Sequence, residues 1–172
     1  VRAFVECCRY PRNMIGVNRG LERGTRGVGS EPTAGYIWNL EPSDYINRCD
    51  TWPLNPDGEL LLGVKVESVR GVAHAEQILA TPGLGFAECG PGDLHMSYGV
   101  DRKEKKDYDP RVIESQKLVR LACKKNGVAY LQSLHRNTVE ELIDLGVRIV
   151  SGADEKIAKI GRSYTQRSLP IG

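Results

Sequence analysis

Two periodicities alternate along most of the chain. Four short runs begin at a glycine, pass through β-forming residues and end in polar or small ones: Gly63-Val64-Lys65-Val66-Glu67-Ser68, Gly85-Phe86-Ala87-Glu88-Cys89-Gly90, Gly127-Val128-Ala129-Tyr130-Leu131-Gln132-Ser133 and Gly146-Val147-Arg148-Ile149-Val150-Ser151-Gly152. Each reads as a short, largely buried strand. Between them apolar residues recur at helical spacing. Val69, Val72, Ala73, Ala75, Ile78 and Leu79 predict a helix to Ala80, stopped by Thr81-Pro82-Gly83. Asp109-Pro110 supplies an N-cap and a first-turn proline for a helix striped by Val112, Ile113, Leu118, Val119, Leu121 and Ala122 and ended by Gly127. Asn137 with Glu140 resembles a capping box for a short helix through Leu145, and Asp154 to Gln166 predicts the last helix. Strands and helices in strict alternation imply a parallel sheet with helices outside.

Residues 1–58 follow another plan. Val1, Phe4, Val5 and Cys8 recur at helical spacing, and a loop rich in Gly and Arg runs from Pro11 to about Gly35. Gly24, Gly27 and Gly29 invite comparison with a phosphate cradle. No clear strand precedes them and no Walker lysine follows, so they read as a flexible loop. Trp38-Asn39 and then Pro42 to Asn47 predict a short helix near the barrel mouth, and Pro53 to Gly58 a turn-rich connection. The chain opens at Val1 inside a helical pattern, which reads as part of something longer, a trimmed N-terminus being the other reading. Four β/α units are half of a (β/α)8 barrel, whose usual length is about 250 residues. An open doubly wound sheet is the alternative for the same pattern.

Charge narrows the functional classes. Twenty-four Lys and Arg against 22 Asp and Glu leave a net charge of +2, which argues against a dedicated nucleic-acid or membrane surface. The run from Asp101 to Asp107 mixes both signs and reads as a solvated loop. Five cysteines, an odd number without any C-x-x-C, read as free thiols in a reducing cytoplasm. Apolar runs are too short to cross a bilayer.

Candidate chemistry lies where two strands end. Glu67 closes the first run, and Asp93 follows the second in Gly90-Pro91-Gly92-Asp93-Leu94. Carboxylates at adjacent strand ends suit a hard divalent cation, with water or substrate oxygens completing its shell. The turn at 90–93 also exposes backbone N–H groups that suit a carboxylate or phosphate. A salt-bridged or capping Glu and an N-cap Asp are the plainer readings of the same residues. Among the histidines, His95 near the mouth reads as a surface polar residue, a group behind the ligands or on the substrate being the other reading, His74 as structural and His135 as a weak pocket candidate. Glu88 reads as a salt-bridge residue rather than a ligand.

Val64-Lys65-Val66-Glu67-Ser68 followed by Gly90-Pro91-Gly92-Asp93-Leu94 resembles the HpcH/HpaI aldolase/citrate lyase family, specifically its metal-dependent class II pyruvate aldolases. Arg9-Tyr10-Pro11, Arg26-Gly27-Val28-Gly29, Trp38-Asn39, the helix from Asp109-Pro110 and the region Glu141 to Gly152 extend the likeness. The resemblance implies an α/β fold of the TIM (β/α)8 type. Residues 1–172 would form the C-terminal part of one barrel domain, with 1–58 as helix and long loop and 59–172 as four β/α units. It implies a lyase cleaving a 4-hydroxy-2-oxo acid to pyruvate and an aldehyde, on Mg²⁺, Mn²⁺ or Co²⁺ held by Glu67 and Asp93. The amides of Gly92 and Asp93 would receive the pyruvate carboxylate, and Gln132, Ser133 and Leu134 would contact the aldehyde end. It further implies small-molecule partners, no nucleic acid or membrane, and a homo-oligomer, a hexamer in related aldolases. The family's enolate-facing arginine and proton-transfer histidine belong to the first half of the barrel and have no counterpart here, so the piece alone should be inactive. Gly92 occupies a variable family position, and the segment around Trp52 to Glu59 is longer than the pattern expects. A CoA-thioester lyase of the same family and a non-catalytic half-barrel remain the other readings.

Overall fold

The computed structural model describes residues 1–101, 108–134 and 137–168. Its residues group into two compact units: Val1–Val64 with Glu76–Phe86, and Lys65–Ala75 with Ala87–Gly172. The charge run from Arg102 to Asp107 and His135 lie outside the described residues.

In the first unit, α1 (Arg2–Cys8) buries Val5, while Phe4 stays exposed. The Gly- and Arg-rich segment is tied to the end of α1. Thr25 N–H donates to the Glu6 carbonyl (2.9 Å) and Arg26 N–H to that of Arg9 (3.0 Å). Gly24 lies so close to the Arg9 carbonyl that a Cβ there would overlap it. This glycine therefore serves close backbone approach within the scaffold. Helix begins earlier than the loop pattern predicts: α2 spans Glu31–Trp38 and α3 spans Pro42–Arg48. Both carry proline in the first turn, where its missing N–H costs nothing. Two very short strands that the pattern does not predict, β1 (Thr51–Trp52) and β2 (Leu60–Leu61), pair in parallel.

Arginines organise this unit. Arg9 is wholly buried and makes a two-toothed ion pair with the equally buried Asp50, at 2.5 and 3.0 Å. Asp50 also accepts from the Thr51 N–H (2.8 Å) and the Asn55 side chain (3.2 Å), so its charge is well solvated by the protein. Arg26 donates to the Cys49 thiol (2.6 Å) and the Tyr45 hydroxyl (2.8 Å) and lies over the Tyr10 ring, 4.8 Å from its centroid. Tyr10, Tyr45 and Cys49 form a core packed by Ala34, Trp38, Leu40, Ile46 and Leu60. The Arg-Tyr-Pro and Arg-Gly-Val-Gly segments thus act as scaffold.

The main sheet contains β3 (Gly63–Lys65), β4 (Phe86–Glu88), β5 (Ala129–Ser133) and β6 (Ile149–Ser151), hydrogen-bonded in sequence order. Strands β5 and β6 pair in parallel with Leu131 opposite Ile149. Among the described residues the sheet ends at β3 and β6 without closing. The helix predicted after Glu67 is split by His74 into α4 (Val69–Ala73) and α5 (Ala75–Leu79).

In the second unit, α6 (Pro91–Ser97) follows β4. Helix α7 (Pro110–Asn126) has the expected Asp109 cap, whose carboxylate accepts from Arg111 N–H (2.9 Å), and ends on Gly127 at φ 69°, a left-handed turn that glycine adopts without steric cost. It buries Val112, Ser115, Val119, Ala122 and Cys123; Ile113, Leu118 and Leu121 of the predicted stripe are exposed. Helix α8 (Val139–Asp144) starts one residue later than Asn137 and Glu140 suggest: the capping box is Thr138 with Glu141. Helix α9 (Glu155–Thr165) is capped by Asp154.

The strands alternate where the sequence reads as largely buried. Val66, Ala87, Cys89 and Tyr130 are buried, whereas Lys65, Glu67 and Glu88 lie at least partly in solvent on the other face. An open parallel sheet covered on one face keeps the period-two pattern that a closed barrel interior would hide.

Candidate metal and substrate site

Glu67 follows β3 on the face that Lys65 also occupies, two residues being one full strand period. Val66 N–H donates to the Glu88 carbonyl (2.7 Å), which sets β4 beside it in register. The Lys65 ammonium lies 3.0 Å from Glu67 Oε1 and 3.7 Å from Glu88 Oε2. It is held above the ordinary lysine range, first by the hydrogen bond to Glu67 and then by the charge of Glu88, with Asp93 acting in the same direction. Glu67 and Glu88 therefore meet at one ammonium.

Gly90 makes room for this arrangement. Its backbone, φ −68° and ψ 123°, is one that any residue adopts, yet a Cβ there would overlap Glu67 Oε1. What requires glycine here is space. Pro91, Gly92 and Asp93 form the first turn of α6, where the amides of Gly92 and Asp93 have no carbonyl within the helix to bond. Asp93 itself is exposed.

His95 is a correction to the sequence reading. It is 1% exposed, its Nδ1 donates to the Pro91 carbonyl (2.5 Å), and its Nε2 accepts from Asp109 N–H (3.0 Å). An amide can only donate, which fixes the proton on Nδ1 and makes this histidine a brace between α6 and the start of α7. His74, at the break between α4 and α5, is exposed.

Gln132 and Ser133 line a different cavity, of about 320 Å³, with Pro91, Tyr108, Gln116, Lys117 and Arg120 among its walls. Neither Glu67 nor Asp93 lines it. Gln132 follows the helix-facing Tyr130 by one strand period, and its Oε1 is buried without a hydrogen-bond partner. Leu134 donates its N–H to the Ser151 carbonyl (2.9 Å), continuing the β5–β6 ladder.

The donor set fits a hard divalent cation. Glu67 and Asp93 offer carboxylate oxygens, and the nearby thiol, Cys89, is pushed by burial and then by the Glu67 charge up to about 12, so it offers no thiolate. Among the described residues no three His, Cys, Asp or Glu side chains form a closed cage. A two-carboxylate site of this kind leaves most of an octahedron to water and substrate. Lys65 and Glu88 are the residues that the sequence reading left out of the site. The signal was available in the two-residue spacing of Lys65 and Glu67.

The parallel β/α succession gives the described residues the architecture of a partial β/α barrel. A family model described as HpcH/HpaI aldolase/citrate lyase matches residues 1–158, and the chain belongs to this family. It is 36% identical over 96 residues to a hydroxypyruvate/pyruvate aldolase of Delftia acidovorans, a match taking in 56% of this chain and 33% of that protein. A solved HpcH/HpaI aldolase/citrate lyase family protein from Burkholderia cenocepacia superimposes with a TM-score of 0.63 at 25% identity, over 94% of this chain and 56% of the other. The citrate lyase β subunit of Mycobacterium tuberculosis, solved with oxaloacetate and magnesium, shares the fold at 18% identity and TM-score 0.50, over 60% of this chain and 51% of its own. The chain thus spans about a third of that aldolase's length and about half of each solved structure. No helix among the described residues is long and apolar enough to cross a membrane.

Proposed function

We propose that this chain contributes the metal-ligand half of a pyruvate-type aldolase, acting in the reversible cleavage of a 4-hydroxy-2-oxo acid to pyruvate and an aldehyde. The observation that supports the reading is the Glu67 carboxylate, 3.0 Å from the Lys65 ammonium and given its space by Gly90 at the head of the turn that carries Asp93. Glu67 and Asp93 would hold Mg²⁺ or a similar cation, which when bound supplies Lewis-acid stabilisation of developing enolate charge. The amides of Gly92 and Asp93 would orient the 2-oxo acid's carboxylate. Of the expected aldehyde contacts, Ser133 is the one exposed at the end of β5.

Metal binding tests the site before turnover does. Mn²⁺ titration of the chain should give one site that Glu67→Gln and Asp93→Asn each weaken at least about tenfold, the loss of one charged ligand out of two. Unchanged affinity in Asp93→Asn would remove Asp93 from the site. Turnover is tested with pyruvate, an aldehyde and Mn²⁺, using the chain alone and joined to a preceding half-barrel. Little activity alone and recovery in the longer form are expected, because the family's arginine and histidine have no counterpart among these residues. Full turnover by the chain alone would overturn that division of roles.

A further inference from the structure

Lys65 and Glu88 have no part in the proposed reaction as described above, yet both stand on the charged face of the sheet. Lys65 touches Glu67 at 3.0 Å and Glu88 at 3.7 Å, its side chain 58% exposed against 19% and 25% for the two carboxylates. Two carboxylates beside one point repel each other, and the single ammonium between them offsets that repulsion. A divalent cation that takes Glu67 as ligand meets the same ammonium at hydrogen-bond distance from the same oxygen. Both cations cannot hold Oε1 at contact distance. The lysine stem is flexible, its outer part is in solvent, and Glu88 is already its second partner.

We propose that Lys65 is a resident counter-ion of Glu67 that an incoming divalent cation must displace, and that Glu88 is the carboxylate that receives it. The inference rests on the metal-site reading above and adds a device to it. Lys65 weakens the cation's hold by competing for Glu67, and Glu88 moderates that competition by drawing the ammonium aside. The two residues therefore act on metal affinity with opposite sign, which a merely structural ion pair would not do. Both are positioning residues: neither is placed on substrate.

The experiment is a Mn²⁺ titration followed by water-proton relaxation, with the full chain in four forms: unchanged, Lys65→Met, Glu88→Gln, and both together. Lys65→Met is expected to tighten Mn²⁺ binding about three- to tenfold, the scale of a half-exposed charge interaction. Glu88→Gln is expected to weaken it by a similar factor, because Lys65 then leans on Glu67 alone. The double variant should match Lys65→Met, since Glu88 has nothing left to draw aside. Lys65→Gln serves as a second, polar replacement, and near-ultraviolet circular dichroism checks that each form keeps its packing. Wild-type binding with equal or weaker affinity in both Lys65 variants would overturn the counter-ion role and leave the metal site standing. Equal weakening by Glu88→Gln with and without Lys65 would make Glu88 a metal ligand and overturn its role as receiver. Absence of Mn²⁺ binding in every form would sink the metal-site reading and this inference with it.

Discussion

At Gly90 one added carbon decides whether Glu67 keeps its place. The backbone there is ordinary, so Gly90→Ala introduces no conformational strain, and the new methyl group overlaps only the Glu67 carboxyl group, at Oε1 and Cδ. The variant should fold with a melting temperature within a few degrees of the parent, the range of a change that leaves core and backbone intact. Its Mn²⁺ affinity should fall about tenfold or more as the ligand is driven aside. A variant that melts normally and binds metal normally would show that Glu67 has another position equally suited to the cation. At this scale the sequence was legible where a residue's partners lie within its own motif, as for Asp109, whose carboxylate accepts from the Arg111 N–H. It was not legible for His95, whose partners are the carbonyl of Pro91 and the amide of Asp109, a residue 14 positions away in sequence. Only the folded chain brings that amide to the ring. Lys65 was hidden for another reason: period two places it beside Glu67, but a strand taken as buried on both faces gives no cause to look for an ion pair.

Among the elements, α8 offers the cleanest test of local chemistry. Thr138 accepts from the Glu141 N–H (3.3 Å), and Glu141 accepts from the Thr138 N–H (2.9 Å), so each side chain satisfies one orphan donor. Thr138→Ala should cost about 1 kcal/mol of stability, read from urea unfolding, whereas Asn137→Ala should change it by only a few tenths. Equal effects would return the cap to Asn137. The element boundaries were readable wherever a cap and a stop bracket the pattern, as Asp109 and Gly127 do for α7. They slipped where two neighbouring residues both suit a cap, and where hydrophobic residues outnumber the buried positions: Ile113, Leu118 and Leu121 look like core by composition, but the face centred on Val112, Ser115, Val119 and Ala122 is the one α7 buries.

Taken as a whole, the molecule should lose stability in alkali. Burial raises the Cys89 and Cys123 thiols from 9.0 to about 12, and burial pushes the Tyr130 hydroxyl upward as well. Between those limits the unfolded chain has released protons that the folded chain still holds, so the unfolded state binds fewer and stability falls as pH rises. The contribution is complete below about pH 9 and declines toward pH 12, each thiol adding at most about 1.4 kcal/mol per pH unit to the slope. Replacing Cys89 and Cys123 by Ala should lower stability near neutrality, through the lost packing, while flattening the alkaline limb of a urea-midpoint profile. An unchanged slope would mean that these thiols ionise in the folded state as freely as in the unfolded one. The succession of β/α units, and with it the fold class, was the most legible property at this scale, because four repeats of one pattern reinforce each other. The scaffold role of Arg9 and Arg26 was the least, since a buried arginine is recognisable only by the carboxylate, thiol and rings that surround it. The open end of the sheet has a consequence measurable by deuterium uptake. With Leu134 N–H bonded to the Ser151 carbonyl and Ser133 paired with Ser151, strand alternation turns the Ser151 amide toward β5 and the Val150 amide outward. Ser151 should exchange slowly and Val150 fast, and any strand that came to lie along β6, in a longer chain or a second copy, would announce itself by slowing Val150.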